Sequence, residues 1–211
     1  MVILDATAGN RSMWRCKDSE NIIYLDRQKG LMVKPTIFAD NRMLPFRDGV
    51  FDIVIFDPPH FWRKSGKYAA YTIPDISMVE DGRKIMGHTY YGVEQYKTKT
   101  ELVKYVYDAQ KELRRVLKDD GILLFKWCEI AIPLDKILVV FNGWRELMRI
   151  PVKSPLQTLG KRQTWWVMME KKQTADLGSY GGGNIPIYSL NDNASQACEE
   201  QPPSQLGRQA R

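Results

Sequence analysis

Four short apolar runs, each closing on an aspartate, set the strongest constraint on how this chain can fold. They are Val2–Asp5, Asn21–Asp26, Thr36–Asp40 and Phe51–Asp57. Short apolar runs, rich in β-branched and aromatic residues and bounded by turn formers, read as buried strands. Chance and core packing account for one strand that ends in an acid. Four of them point to a sheet edge built to bind something. The last run, Phe51-Asp-Ile-Val-Ile-Phe-Asp-Pro-Pro-His60, is the most informative. Pro58 and Pro59 lock φ and donate no hydrogen bond, so the strand stops and its last carbonyls stay free. Asp57 then stands at the carboxyl end of a strand, where open α/β sheets hold their ligands. An acid, fixed carbonyls and the ring of His60 suit an amine carried on a flat group, such as a nucleobase.

The chain of 211 residues is long enough for one sizeable core and short for two. Its formal charge of +6 is compatible with a polyanionic partner without requiring one. The cysteines Cys16, Cys128 and Cys198 are scattered and odd in number, and His60 and His88 are the only histidines. That pattern supports neither a disulfide framework nor a zinc site. No apolar run approaches the roughly 18–20 residues of a membrane span, and no signal-peptide pattern precedes the first strand. A cytoplasmic location is the simplest expectation.

The small-residue turn Asp5-Ala-Thr-Ala-Gly-Asn10 follows the first strand, and a helix is expected over 11–17. Gly9 can take a positive φ and lets backbone amides approach a ligand, although an ordinary strand-to-helix turn reads the same way. Asp26 closes the second strand about 20 residues later, where a carboxylate can accept the hydroxyls of a ribose. Residues 61–99 lose periodicity and mix aromatic with basic side chains, beginning Phe61-Trp-Arg-Lys64. Such a mixture describes either a single-stranded nucleic-acid surface or a lid packed on the core. Glu101–Lys118 shows the period of an amphipathic helix, with Gly121 as the residue that ends it. Gly121–Trp127 reads as a fifth strand carrying Lys126 and Trp127 to the Asp57 edge, where snorkelling and packing are the favoured explanation of both. A helix over Pro133–Phe141 follows, then strands over Trp144–Val152 and Thr164–Glu170, forming a hairpin around 154–163. From about residue 172 the chain turns rich in Gly, Pro, Gln and Ser and reads as a peripheral tail.

Strands alternating with helices predict a doubly wound α/β sheet, mostly parallel and seven-stranded, ending in an antiparallel hairpin. Leu4–Asn10, Asp26, Asp40 with Leu44-Pro-Phe46, Phe51-Asp52 and Leu113–Gly121 resemble the class I S-adenosylmethionine-dependent methyltransferases, which are Rossmann-like. Asp57-Pro-Pro-His60 is similar to the D/N-P-P-aromatic motif of amino-methyltransferases that act on nucleic-acid bases. The small phage- or prophage-type members with DPPH and a late Phe-Lys-Trp strand look closest. The resemblance covers residues 2–171, leaving 172–211 as the tail and 61–99 as a lid or target-recognition insertion.

This resemblance implies an S-adenosylmethionine-dependent N-methyltransferase acting on an exocyclic base amine, adenine N6 ahead of cytosine N4, in DNA or RNA. Asp5, Ala6, Thr7, Ala8, Gly9 and Asn10 would hold the methionine part of S-adenosyl-L-methionine, Asp26 with Arg27 the ribose, and Asp40 with Asn41 the adenine. Asp57, Pro58, Pro59 and His60 would form the catalytic group. Phe61, Trp62, Arg63, Lys64, Lys126 and Trp127 would meet the substrate, and no metal is implied. The same motif type leaves open a small-molecule or protein amide acceptor, or a binding module that keeps the fold without catalysis.

Overall fold

A computed structural model describes residues 1–60, 62, 96–152 and 163–173. The expectations for the 61–95 segment, including Phe61, Arg63 and Lys64, for the hairpin connection and for the tail lie outside the described residues. Seven strands form one sheet in the order β3-β2-β1-β4-β5-β7-β6. They are β1 (Ile3–Asp5), β2 (Ile22–Asp26), β3 (Ile37–Phe38), β4 (Phe51–Phe56), β5 (Leu117–Cys128), β6 (Trp144–Val152) and β7 (Thr164–Lys171). The first five pair in parallel, and β7 runs antiparallel to both β5 and β6. This is the Rossmann-like α/β sheet with a terminal hairpin expected from the sequence.

One face of the sheet is dry. Leu4, Val54, Phe56, Leu123, Phe125, Trp127, Val167 and Met169 face α1 (Lys99–Val116) and α2 (Leu134–Leu138) in a single buried cluster. Aromatic rings stack through its middle: Phe125 lies 5.8 Å from Trp127, 6.0 Å from Phe56 and 4.7 Å from Phe141. Burying each such ring contributes roughly 2–3 kcal/mol. Helix α1 begins at Thr98, whose hydroxyl accepts the Glu101 amide at 3.2 Å while Glu101 accepts the Lys97 amide at 2.7 Å. That reciprocal cap and the basic Arg114 and Arg115 in the last turn suit the helix dipole. On the other face a smaller cluster of Ala8, Ile22 and Tyr24 packs under Trp14.

Two local expectations are corrected. Residues 11–17 form turns rather than a helix. Arg11 takes a φ of 55°, its guanidinium donates to the Lys34 and Lys17 carbonyls, and it lies 3.9 Å over the Tyr24 ring. Seven residues are too few to sustain a helix alone, and these tethers use the side chains that would have packed one. The second correction concerns Gly121. It does not end α1, which stops at Val116 and passes straight into β5. A Cβ on Gly121 would lie 2.7 Å from Leu117 and 3.1 Å from the Asp52 carbonyl, so close approach selects glycine there.

Candidate active site

The cleft opens where β1, β2 and β4 end, at the carboxyl edge that open α/β sheets use for ligands. Its floor is Asp57. The Asp57 amide donates to Thr7 Oγ1 at 2.7 Å, so the turn after β1 fixes the backbone that follows β4. Lys126, arriving on β5, places Nζ 2.6 Å from Asp57 Oδ2. His60 Nε2 lies 3.3 Å from Oδ1 on the other side. Oδ1 nevertheless has no aligned hydrogen bond, and His60 Nδ1 is buried without a partner. Burial alone would push the Asp57 carboxyl up, but His60 and Lys126 together hold it below the usual carboxylate range.

Behind Asp57 the first turn lines the cleft with Ala6, Thr7, Ala8, Gly9 and Asn10. Gly9 takes a φ of 49°, which a side chain would strain, and its amide donates to Asp26 Oδ2 at 2.8 Å. The other Asp26 oxygen accepts the Gln28 amide at 2.7 Å. Asp5 is wholly buried beneath the turn, accepting the Thr7 amide at 3.2 Å and the Trp14 indole at 2.7 Å. Burial pushes its carboxyl up to about 6, against those two hydrogen bonds and with added pressure from Asp57 and Asp26.

Across the cleft Asn41 donates to the Ala6 carbonyl at 3.2 Å and to Tyr105 Oη at 2.8 Å. Its Oδ1 is buried and accepts nothing. Asn41 itself lines the cleft, so an acceptor without a protein donor lies at its wall. Neighbouring Asp40 is turned away. Arg27 donates to its Oδ2 at 3.0 Å, and Arg42 grips both oxygens at 2.9 and 2.6 Å. Burial would raise the Asp40 carboxyl, yet Arg42 and Arg27 pull it down to about 2. The second arm of Arg27 donates to Tyr96 Oη at 2.9 Å.

The structure therefore gathers Ala6 to Asn10, Asp26, Arg27, Asn41, Asp57, Pro59 and Lys126 around one cleft. It sets Asp5 below the cleft wall, His60 behind Asp57, and Asp40 among arginines. Trp127 does not reach the cleft: it is fully buried, donates to the Ile132 carbonyl at 2.8 Å and supports the edge of the His60 ring 5.2 Å away. The apolar side of β5 claims it, as alternation along a strand requires. Trp62 likewise packs against the core. Sequence reasoning missed Tyr105, Gln28, Ser12, Met13 and Ala39, which also line the cleft. Tyr105 was hidden inside the regular apolar face of α1. Among the described residues no cluster of His, Cys, Asp or Glu could hold a metal ion, and no helix is long and apolar enough to cross a membrane.

No protein-family model matches the chain, and no curated protein sequence does. Solved structures do. The chain is similar to the PH0226 protein from Pyrococcus horikoshii, at 13% identity and a TM-score of 0.49, covering 81% of each chain. It is also similar to an rRNA methylase from Streptococcus thermophilus, at 16% identity and a TM-score of 0.43, covering 82% of this chain and 87% of that one. A third likeness is to the N-methyltransferase NodS from Bradyrhizobium japonicum, at 9% identity and a TM-score of 0.41, covering 82% and 85%.

Proposed function

We propose that this protein is an S-adenosylmethionine-dependent methyltransferase that methylates an exocyclic amine of a nucleic-acid base, with adenine N6 ahead of cytosine N4. The observation that carries the reading is Asp57, a cleft-lining carboxylate whose Oδ2 takes Lys126 while its buried Oδ1 has no aligned hydrogen bond, His60 Nε2 standing 3.3 Å away. A buried acceptor without a donor costs about 1–3 kcal/mol, so a substrate N–H is favoured there. The charge balance of +6 fits a polyanionic acceptor.

The lining fits the cofactor. Asn41 Oδ1 suits the adenine amino group, the Asp26 carboxylate suits ribose hydroxyls, and Gly9 permits the close backbone approach a methionine moiety needs. When bound, the cofactor supplies a methyl group on a sulfonium, and its sulfur keeps the electron pair of the breaking bond. The protein's own part is mainly positioning. Asp57 stays ionised, accepts an amine N–H and turns the nitrogen lone pair toward the methyl group. The nitrogen then sheds its extra proton to water once the methyl group has been transferred.

The test is transfer of labelled methyl to single- and double-stranded DNA, tRNA, rRNA and free nucleosides, with mass analysis of the digested bases. Label on a base amine of a polymer supports the reading. Label on nucleosides alone, or on none of the panel while the cofactor binds in calorimetry, overturns the nucleic-acid assignment. No cofactor binding overturns the methyltransferase assignment.

A further inference from the structure

Lys126 sits where a phosphate-binding lysine would be expected to reach outward, and it does not. Its side chain is 28% exposed, its Nζ turns inward to Asp57 Oδ2 at 2.6 Å, and it lies 5.8 Å from the centre of the Trp166 ring. Register explains the placement. Lys126 pairs with Trp166 across β5 and β7, and it follows Phe125, which pairs with Phe56, the residue before Asp57. The ammonium thus stands beside the acid and within reach of the indole face.

The consequence is that the two Asp57 oxygens are no longer equivalent. Oδ2 is occupied by Lys126, whereas Oδ1 is buried without an aligned hydrogen bond, His60 Nε2 standing 3.3 Å away. We infer that Lys126 is a positioning residue: it keeps Asp57 ionised inside its buried site and commits Oδ2, so that Oδ1 alone meets the substrate amine. This rests on the methyltransferase reading for its catalytic meaning, though not for its geometry. The charged and titratable groups facing Asp57 are Lys126 on β5, His60 on its own loop and the Asp5 carboxyl under β1. Lys126 and His60 both favour the ionised acid, and Asp5 opposes it. Removing Lys126 leaves burial and Asp5 with only His60 against them.

Three substitutions separate charge from hydrogen bonding and from bulk. Lys126→Met removes both, Lys126→Gln keeps a donor without charge, and Lys126→Arg keeps the charge. The first readout needs no turnover: carbon-13 NMR titration of the Asp57 carboxyl in the full chain, assigned by its loss in Asp57→Asn. A midpoint at least about one pH unit higher in Lys126→Met and Lys126→Gln, restored in Lys126→Arg, is the expected result. The second readout is the pH profile of kcat. Its acid limb should rise with the same midpoint, and kcat should fall about tenfold or more while KM for the polymer stays within about threefold.

An unmoved NMR midpoint in folded Lys126→Met and Lys126→Gln overturns the inference. So does a loss confined to KM that grows with added salt, which is the signature of a phosphate contact. If the wild-type chain transfers methyl to nothing, the functional reading fails while the NMR titration still decides the role of Lys126.

Discussion

The two halves of the sheet are built by different means. On the β5-β7-β6 side, strands of 12, 8 and 9 residues are zipped by long ladders, with β5 and β7 packed under two helices and β6 exposed beyond Trp144. On the β3-β2-β1-β4 side the strands have 2, 5, 3 and 6 residues, and turns join them where the structure describes the chain. There, side chains do what ladders do elsewhere. Asp26 holds two backbone amides, Asn10 accepts the Val33 amide at 3.1 Å, and Arg11 ties two carbonyls together. Short strands leave amides and carboxylates available at the sheet edge, and the long hairpin supplies the rigidity they lack. Asp57 and Lys126 meet at the seam, one from each side.

The largest expected effect that would break this contrast is on the packed side. Phe125→Ala should lower unfolding free energy by about 3–5 kcal/mol in urea melts, since a ring stacked on Phe56 and Trp127 and packed against Phe141 cannot be replaced by collapse. A loss under about 1 kcal/mol would mean that half is not the anchor. Next comes the seam. Asp57→Ala should cut methyl transfer by about 10²–10³-fold while cofactor affinity stays within about threefold, as for the loss of one preorganised polar group. Unchanged turnover would remove Asp57 from the chemistry.

Third is a pH effect on the cleft side. Folding raises the Asp5 carboxyl to about 6, so the stability it contributes is present below about pH 4 and is lost as pH rises through 6. Asp5→Asn carries no such loss. Its stability relative to wild type should improve between pH 4 and 6, by about 2–3 kcal/mol at most, and then level off. Parallel curves across that range would show that Asp5 is not a buried acid. The smallest effect sharpens the division of labour. Asp26→Ala should weaken cofactor binding about tenfold or more in calorimetry while costing only about 1–2 kcal/mol of stability, the range of a lost cap.

The strands were legible because the physics is local: alternation, acid-terminated runs and a Pro-Pro stop all lie within a few residues. The hairpin strands fall within one residue of their expected ends. What could not be read depends on distant partners. Arg11 leaves helical geometry to reach Lys34 and Tyr24, and Gly121 is glycine because Leu117 and Asp52 crowd it. The site divides the same way. Asp57, Asp26 and Gly9 announce themselves by position, whereas the placing of Asn41 in the cleft and of Asp40 outside it is set by Tyr105 and Arg42. Trp127 and Lys126 sit side by side in sequence, and only the pleat decides that one is core and the other reaches the acid.

Arg27 has a consequence of its own. One guanidinium clasps Asp40 beside the cleft and Tyr96 just ahead of α1, so the wall of the cleft and the approach to the helix share a hinge pin. A ligand that draws either arm away must also reset the other. Any change at Tyr96 that alters affinity in the cleft is then matched, by linkage, by an equal effect of filling the cleft on Tyr96.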